Sequence, residues 1–581
     1  MKKFLSVIIS TVLILTACTP AANVFSQEPT DGAGNESTTV TTADENAMSF
    51  AVASDLHYVC PTDEMDEDID HEIYWYANRR AAMEHESSFI IDEFLRQCAE
   101  DENCEFVLIP GDIVNDGKVV PQQHIDMAAK FAKFEEESGK PIYVIPGNHD
   151  YGVDCDVELD DFLGYYNEFG YSEALTVNGA SYTADLGDKY RLIALDSTDP
   201  SKSTEDGMSA EKVDWVHEQA DKAKADGRHP ILMMHHNLLD HLPLQRILSR
   251  NFIVRFHYST ATLFADWGIK LVFTGHEHCS DATSYTSPSG NVIYDFATTS
   301  LTMYPLQYRM FTLTDDTITY EAKTIESIDT DALLEATPGF TTEQLDLMNA
   351  GMNDYAKGFL KAGVQYRLGR SLSMEQMGID EDAFYYDLVN TAVSKLVMVL
   401  DDPLYGENSI QELAAEYNIV IPDSSYENGW DVATELVSAH YAGSENYELE
   451  GTEVTIFLRL VALVLRDDLA AIADETLLLL ANMLLEQFGT GDIAQNLTKL
   501  GTQVFGGVTA VEYVILAAVS PLLYDFTVDH DGVDDNYGTL PGYGTIAPQS
   551  NFMNIIDMAK DFFETLLYNI RTMFNILFKI V

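Results

Sequence analysis

The 581-residue chain reads as an α/β domain followed by an all-α domain, and three observations predict this. Between Met48 and about Ile325, short apolar runs rich in Val, Ile, Phe and Tyr alternate with helix-like segments, as in a sheet with crossover helices. Beyond about Ile325 the strand-like runs stop and apolar residues recur at helical spacing. The length itself exceeds one ordinary domain.

In chain order, Lys2 and Lys3 precede a short, mostly apolar run at 5–15, which reads as a secretory signal too short to span a membrane comfortably. Residues 26–46 are rich in Thr, Ser, Gly, Asn, Asp and Glu and read as a flexible tether. The expected division is a signal at 1–17, a tether at 18–47, a catalytic domain at 48–325 and a helical domain at 326–581. Runs at 50–54, 106–109, 142–145, 192–195, 231–234, 271–273 and 292–296 are the expected strands. Segments at 77–98, 121–137 and 210–225 are the expected helices between them. In the second half, 341–370, 382–400, 452–488 and 552–581 show helical periodicity. The last has a broad apolar stripe, for which core packing is the default reading and a membrane-lying or partner-binding helix the lesser one. The most apolar stretches, 456–465 and 511–523, are interrupted by Arg459 and Pro521, so no later membrane span is expected.

The composition is 46% hydrophobic and 22% charged, that of a globular chain. Asp and Glu number 94 against 33 Lys and Arg, a net charge of -61 that repels nucleic-acid backbones and anionic membranes. No nucleic-acid polymer is expected as a partner. The same charge opposes a phosphate substrate unless local cations offset it. Of the six cysteines, Cys98 with Cys104 and Cys60 with Cys155 are candidate disulfides in an oxidising compartment, with free buried thiols the alternative for each pair and Cys279 left over.

Five motifs each follow an expected strand: Ser54-Asp55-Leu56-His57, Gly111-Asp112-Ile113-Val114-Asn115, Gly147-Asn148-His149-Asp150, His235-His236-Asn237 and Gly275-His276-Glu277-His278. In open α/β sheets, functional groups gather beyond the carboxyl ends of the strands, so these five distant loops are expected to meet at one rim. Carboxylates and neutral imidazoles suit borderline metals such as Zn, Fe and Mn. A carboxylate such as Asp112 can bridge two cations, and such a pair lowers the pKa of a bound water and clamps phosphoryl oxygens. Glycines before Asp112, Asn148 and His276 are expected to allow tight turns.

The ordered set D-x-H, G-D-x-x-N, G-N-H-D, H, G-H-x-H resembles the signature of calcineurin-like metallophosphoesterases across roughly residues 50–280. The resemblance implies a four-layer α-β-β-α sandwich and a dinuclear site of divalent or trivalent ions. It implies Asp55, His57, Asp112 and His278 as ligands of one metal, and Asp112, Asn148, His235 and His276 as ligands of the other. His235 is preferred to His236 because the family ligand is the first residue after the strand. By the same resemblance His149 contacts substrate phosphate and protonates the leaving oxygen, Asp150 orients His149, and Asn115 positions a phosphate oxygen unless it is only a turn residue.

Departures from neighbouring subfamilies narrow the reading. Asn115 stands where purple acid phosphatases carry Tyr. Asn115-Asp116-Gly117 and Asp150 differ from the protein Ser/Thr phosphatase pattern, and exported 5'-nucleotidases carry a stranded second domain. The remainder is similar to exported lipoprotein cyclic-nucleotide phosphodiesterases of Gram-positive bacteria. Leu15-Thr16-Ala17-Cys18 resembles a bacterial lipobox, which implies acylation of Cys18 and membrane anchoring through that lipid. The expected activity is hydrolysis of a small phosphodiester, with cyclic nucleotides among the candidates. Phosphomonoester hydrolysis on the same site, and a surface protein whose metal site has lost catalysis, are the competing readings. The acidic run 63–70 is expected as a solvated loop rather than a lid. Asp529, Asp531, Asp534 and Asp535 are expected as an acidic loop, since their spacing does not fit an EF-hand.

Overall fold

The computed structural model describes residues 47–60, 82–201, 206–241, 245, 251–371, 386–470, 472–488, 491–527 and 533–544. Cys18, the tether, the acidic run 63–70, Asp529, Asp531 and the segment 552–581 lie outside them.

Two mixed sheets form the first half. One contains β1 (Met48–Val52), β2 (Val107–Ile109), β3 (Ile142–Val144), β11 (Gln307–Leu313), β12 (Thr317–Thr324) and β13 (Tyr537–Pro541), ordered β13-β12-β11-β1-β2-β3. The other contains β4 (Thr176–Asn178), β5 (Ser181–Leu186), β6 (Tyr190–Leu195), β7 (His229–Met234), β8 (Leu271–Thr274), β9 (Asp281–Thr286) and β10 (Val292–Ala297), ordered β4-β5-β6-β7-β8-β10-β9. β1, β2 and β3 run parallel, as do β6, β7, β8 and β10. β1, β2, β3 and β6 are buried along their whole length, which explains why they read as continuous apolar runs.

The two sheets pack face to face through an aromatic layer. Phe50 of β1 lies 5.6 Å edge-on to Phe273 of β8, and Phe311 of β11 meets Phe273 at 4.8 Å and Phe296 of β10 at 4.9 Å. Helices cover the outer faces and make the arrangement four layers deep. On the first sheet, Phe94 of α1 (Ser87–Glu100) packs edge-on against Tyr308 of β11, and α2 (Pro121–Ser138) lies beside α1. α2 begins with Pro at its first turn and ends at Gly139 with φ 73, the asymmetry that suits a missing N–H at one end and a left-handed cap at the other. After the short α3 (Leu159–Tyr165), α4 (Ala210–Ala225) and α5 (His257–Asp266) cover the second sheet, burying Trp215, Val216, Ala220 and Phe264.

The second half is helical: α6 (Thr330–Ala336), α7 (Thr342–Ala350), α8 (Met352–Ser371), α9 (Tyr386–Asp401), α10 (Ile410–Glu416), α11 (Gly429–Tyr441), α12 (Thr452–Leu469), α13 (Asp474–Phe488), α14 (Gly491–Phe505) and α15 (Ala510–Thr527). Trp430, Leu436, Leu458, Val464, Leu500, Ile515 and neighbours form its own core. Among the described residues, no single helix is long and apolar enough to cross a membrane.

The expected change near Ile325 is corrected in two respects. Strands do not end near Ile325, because β13 pairs antiparallel with β12, Ile318 opposite Leu540. Its Tyr-Gly-Thr-Leu-Pro sequence hides it: Gly and Pro are poor strand formers, tolerated here because β13 ends the sheet order. The first core also continues past Ile325, taking in Leu333, Met352, Phe359 and Val364 from α6 and α8. The five described cysteines are free thiols, so neither candidate disulfide is formed.

Candidate metal centre

The five motif loops leave the carboxyl ends of β1, β2 and β3 in one sheet and β7 and β8 in the other, and they converge. Donor atoms of Asp55, His57, Asp112 and His278 lie within 4.8 Å of one another, as do those of Asp112, His235 and His276. Asp112 belongs to both groups. Its Oδ2 is 3.4 Å from His235 Nε2 and 3.8 Å from His57 Nε2, while its Oδ1 accepts the His149 amide at 2.8 Å. Asn148 joins the second group through Oδ1, 3.1 Å from His235 Nε2.

The backbone delivers these side chains in an unusual conformation. Asp55, His57, Asp112, His276 and His278 all have positive φ, between 42° and 70°. Non-glycine residues seldom occupy this region, and each carries a cost of about 1–3 kcal/mol that the surroundings must offset. Cross-loop hydrogen bonds supply that support: Asp55 N to Gly111 O, His57 N to Asp112 O, Gly275 N to His235 O and His276 N to Asp55 Oδ2. The three glycines divide into two roles. Gly111 has φ 100 and makes the expected tight turn. Gly147 and Gly275 instead permit close approach, since a Cβ on Gly147 would collide with the Asp112 carboxylate and one on Gly275 with Ser54 and Asp55.

The chemistry of the donor set fits metal cations. Asp55 Oδ2 accepts from Ser54 Oγ and His276 N, leaving the buried Oδ1 without a hydrogen-bond partner, 3.2 Å from His278 Nε2. His276 Nε2 is likewise buried without one. His235 Nδ1 donates to Pro110 O at 3.0 Å, which aims Nε2 at the cluster; burial opposes its charge, but Asp112 prevails and pushes its pKa up to about 9, so a bound cation would have to displace a proton from Nε2. Burial pushes the His276 imidazole well below its usual pKa, aided by His236 and His235, so it is a neutral ligand. Burial alone would raise the Asp112 carboxyl, but His235, His149 and His57 outweigh it and hold the group well below the carboxylate range. His236, beside His235, turns away to Ser197, with Nδ1 3.0 Å from the hydroxyl.

Of the outer residues, Asp150 is the one placed otherwise than expected. His149 is partly exposed and its Nδ1 donates to Asn115 O at 2.7 Å, directing Nε2 toward the cluster, 3.9 Å from Asp112 Oδ2. Asp150 does not orient His149: its carboxylate accepts from Gly147 N at 2.7 Å and Val114 N at 3.2 Å, bracing the loop. The Asn115 side-chain amide donates to its neighbour Asp116 and to Glu84, just before α1. Three supporting residues escape the motif reading. Ser300 Oγ donates to Asp55 O, and Thr299 Oγ1 to His278 O. Asp295 accepts from Leu238 N, Leu239 N and Thr274 Oγ1, fixing the loop after β7. The run Thr298-Thr299-Ser300 directly after an expected strand was the available signal.

A model of the calcineurin-like phosphoesterase family matches residues 48–280. No curated protein matches the sequence. Among solved structures, a dimetal phosphatase from Danio rerio aligns at 11% identity and TM-score 0.34, covering 48% of this chain and 96% of that one. A Haemophilus influenzae NAD nucleotidase aligns at 10% identity and TM-score 0.28, covering 54% and 60%. A predicted phosphoesterase from Streptococcus pneumoniae aligns at 12% identity and TM-score 0.20, covering 48% and 91%.

Proposed function

Residues 48–280 belong to the calcineurin-like phosphoesterase family, and from that premise we propose that the protein hydrolyses small phosphodiesters at a dinuclear metal site. The observation that carries this reading is the sharing of Asp112 between two converging donor clusters. Asp55, His57, Asp112 and His278 would hold one ion, and Asp112, Asn148, His235 and His276 the other. Two bound cations of the Mn, Fe or Zn type would supply Lewis-acid charge and an activated water.

The chain's own groups do the rest. Asn115 O holds the Nδ1 proton of His149, so Nε2 is the atom facing the reaction; in the imidazolium form, with the second proton on Nε2, it is placed to give that proton to the departing ester oxygen. Asp150 keeps the His149 loop in place through two backbone amides. Preference for diesters follows from charge. No Lys or Arg lies within the five motifs; Asp116 and Glu84 contact Asn115, and the acidic run 63–70 follows the first motif in sequence. A monoester carries close to two negative charges and a diester one, so these surroundings penalise the monoester more. The test compares bis-para-nitrophenyl phosphate with para-nitrophenyl phosphate at fixed pH, ionic strength and added Mn²⁺. A higher kcat/KM for the diester is expected, with measurable opening of a 2',3'- or 3',5'-cyclic nucleotide. A clear monoester preference would move the protein to the phosphatase reading.

The residues before the fold support an extracytoplasmic, lipid-anchored location through Cys18. Fractionation of cells producing Cys18→Ser tests it: release into the medium or loss of processing is expected, and retention equal to wild type overturns it.

A further inference from the structure

Two segments from the second half of the chain close on the loop that carries His276 and His278. From the end of α11, Tyr441 O accepts from Ser280 N at 3.1 Å. From the turn before β13, Asp535 Oδ1 accepts from Ala282 N at 2.7 Å. Asn536 Nδ2 ties the two segments together by donating to Ala442 O and Gly443 O at 2.9 and 2.7 Å. Gly443 fits so closely that a Cβ there would lie 2.5 Å from both Ser280 O and Asp535 Cβ.

Arg309 backs this clasp from the catalytic side. It is 1% exposed, and its guanidinium donates to Ser280 Oγ, Thr298 Oγ1, Ala297 O and Asp535 O. Thr299, next to Thr298, holds His278 O, and Ser300 holds Asp55 O. A buried cation therefore joins Asp535 to the two loops that carry Asp55 and His278. A buried charge of this kind is tolerable only while all its acceptors stay in place.

We infer that the Asp535 carboxylate is a positioning group for the metal cluster containing His278, acting through the Ala282 amide, while Arg309 braces the same turn through the Asp535 main-chain carbonyl. This rests on the dinuclear reading above. Hydrogen-bonded groups behind metal ligands commonly change affinity about 10–100-fold when removed. Because Asp535 acts one step further back, a loss of about 10-fold at one of the two ions is expected.

The experiment titrates the full chain with Mn²⁺ and follows the electron paramagnetic resonance spectrum, which separates a coupled ion pair from single ions. Wild type is expected to show the coupled pair. Asp535→Ala should show single-ion signal at Mn²⁺ concentrations that saturate wild type. Asp535→Asn, which keeps an acceptor oxygen toward Ala282, should restore the pair. Leu540→Ala weakens β13 without touching the loop and should lower the melting temperature while leaving the pair intact. If Asp535→Ala does not fold, Gly443→Ala wedges the same clasp and should give the same selective loss. A coupled pair at wild-type affinity in folded Asp535→Ala or Gly443→Ala overturns the inference. Absence of any coupled pair in wild type overturns the dinuclear reading itself, and this inference with it.

Discussion

The Nδ1 atom of His149 lies 2.7 Å from the carbonyl oxygen of Asn115. A carbonyl only accepts, so the proton sits on Nδ1 and the other ring nitrogen is left to the reaction. His149 thereby touches the site without belonging to either cluster of donors. His149→Ala should lower kcat by about 10²–10⁴-fold, the usual worth of a positioned proton donor, while both metals remain. Asp112→Asn should instead remove activity and metal occupancy together, since one carboxylate serves both clusters. Elemental analysis of the two purified variants separates these outcomes. Two retained metals in Asp112→Asn would refute the bridging role.

Gly147 and Gly139 make a controlled pair. Gly139 has φ 73 with nothing within 4 Å of an added Cβ, so Gly139→Ala should cost only the left-handed backbone penalty of about 1–2 kcal/mol. Gly147→Ala would drive a methyl group into the Asp112 carboxylate. It should lose bound metal as well as stability. Denaturant titrations paired with metal analysis check this, and a Gly147→Ala protein with full metal content would show that the Asp112 loop can yield.

His241 is fully buried between Asp281 Oδ2 at 2.8 Å and Asp295 Oδ2 at 3.2 Å. Burial opposes its charge, but the two carboxylates prevail and push its pKa up to about 10. A folded-state value above the unfolded value of about 6.5 gives stability that is fully present below pH ~6.5 and lost as pH rises through about 10. The melting temperature of wild type minus that of His241→Gln should therefore shrink between pH 6 and pH 10. A constant difference across that range would mean that folding does not raise the pKa of His241.

The legibility of this chain follows the sequence distance of its interactions. Each proposed ligand sits in a short motif directly after an apolar strand, so type and position were readable together. β5, β9, β11 and β12 were harder, because strands such as Asp281–Thr286 and Thr317–Thr324 are polar or half-exposed and carry no long apolar run. The family resemblance implies that Asp150 orients His149, whereas its carboxylate reaches back to Val114. Arg309 and Asp535 were invisible for the opposite reason. Nothing in their local sequence distinguishes a buried hub from an ordinary charged residue. Their partners, at Ser280, Ala282 and Ala297, are set only by the tertiary fold.

β13 also places a delay inside the assembly of this protein. Its partner β12 is complete at Thr324, but Tyr537–Pro541 emerges only after all fifteen named helices have been synthesised. Until then the row of backbone groups on β12 that β13 will cover has no strand beside it, and closing so long a loop carries an entropic cost that local helix formation does not. The helical region can thus organise its own core first, and the catalytic sheet is finished last, by the part of the chain that arrives after it.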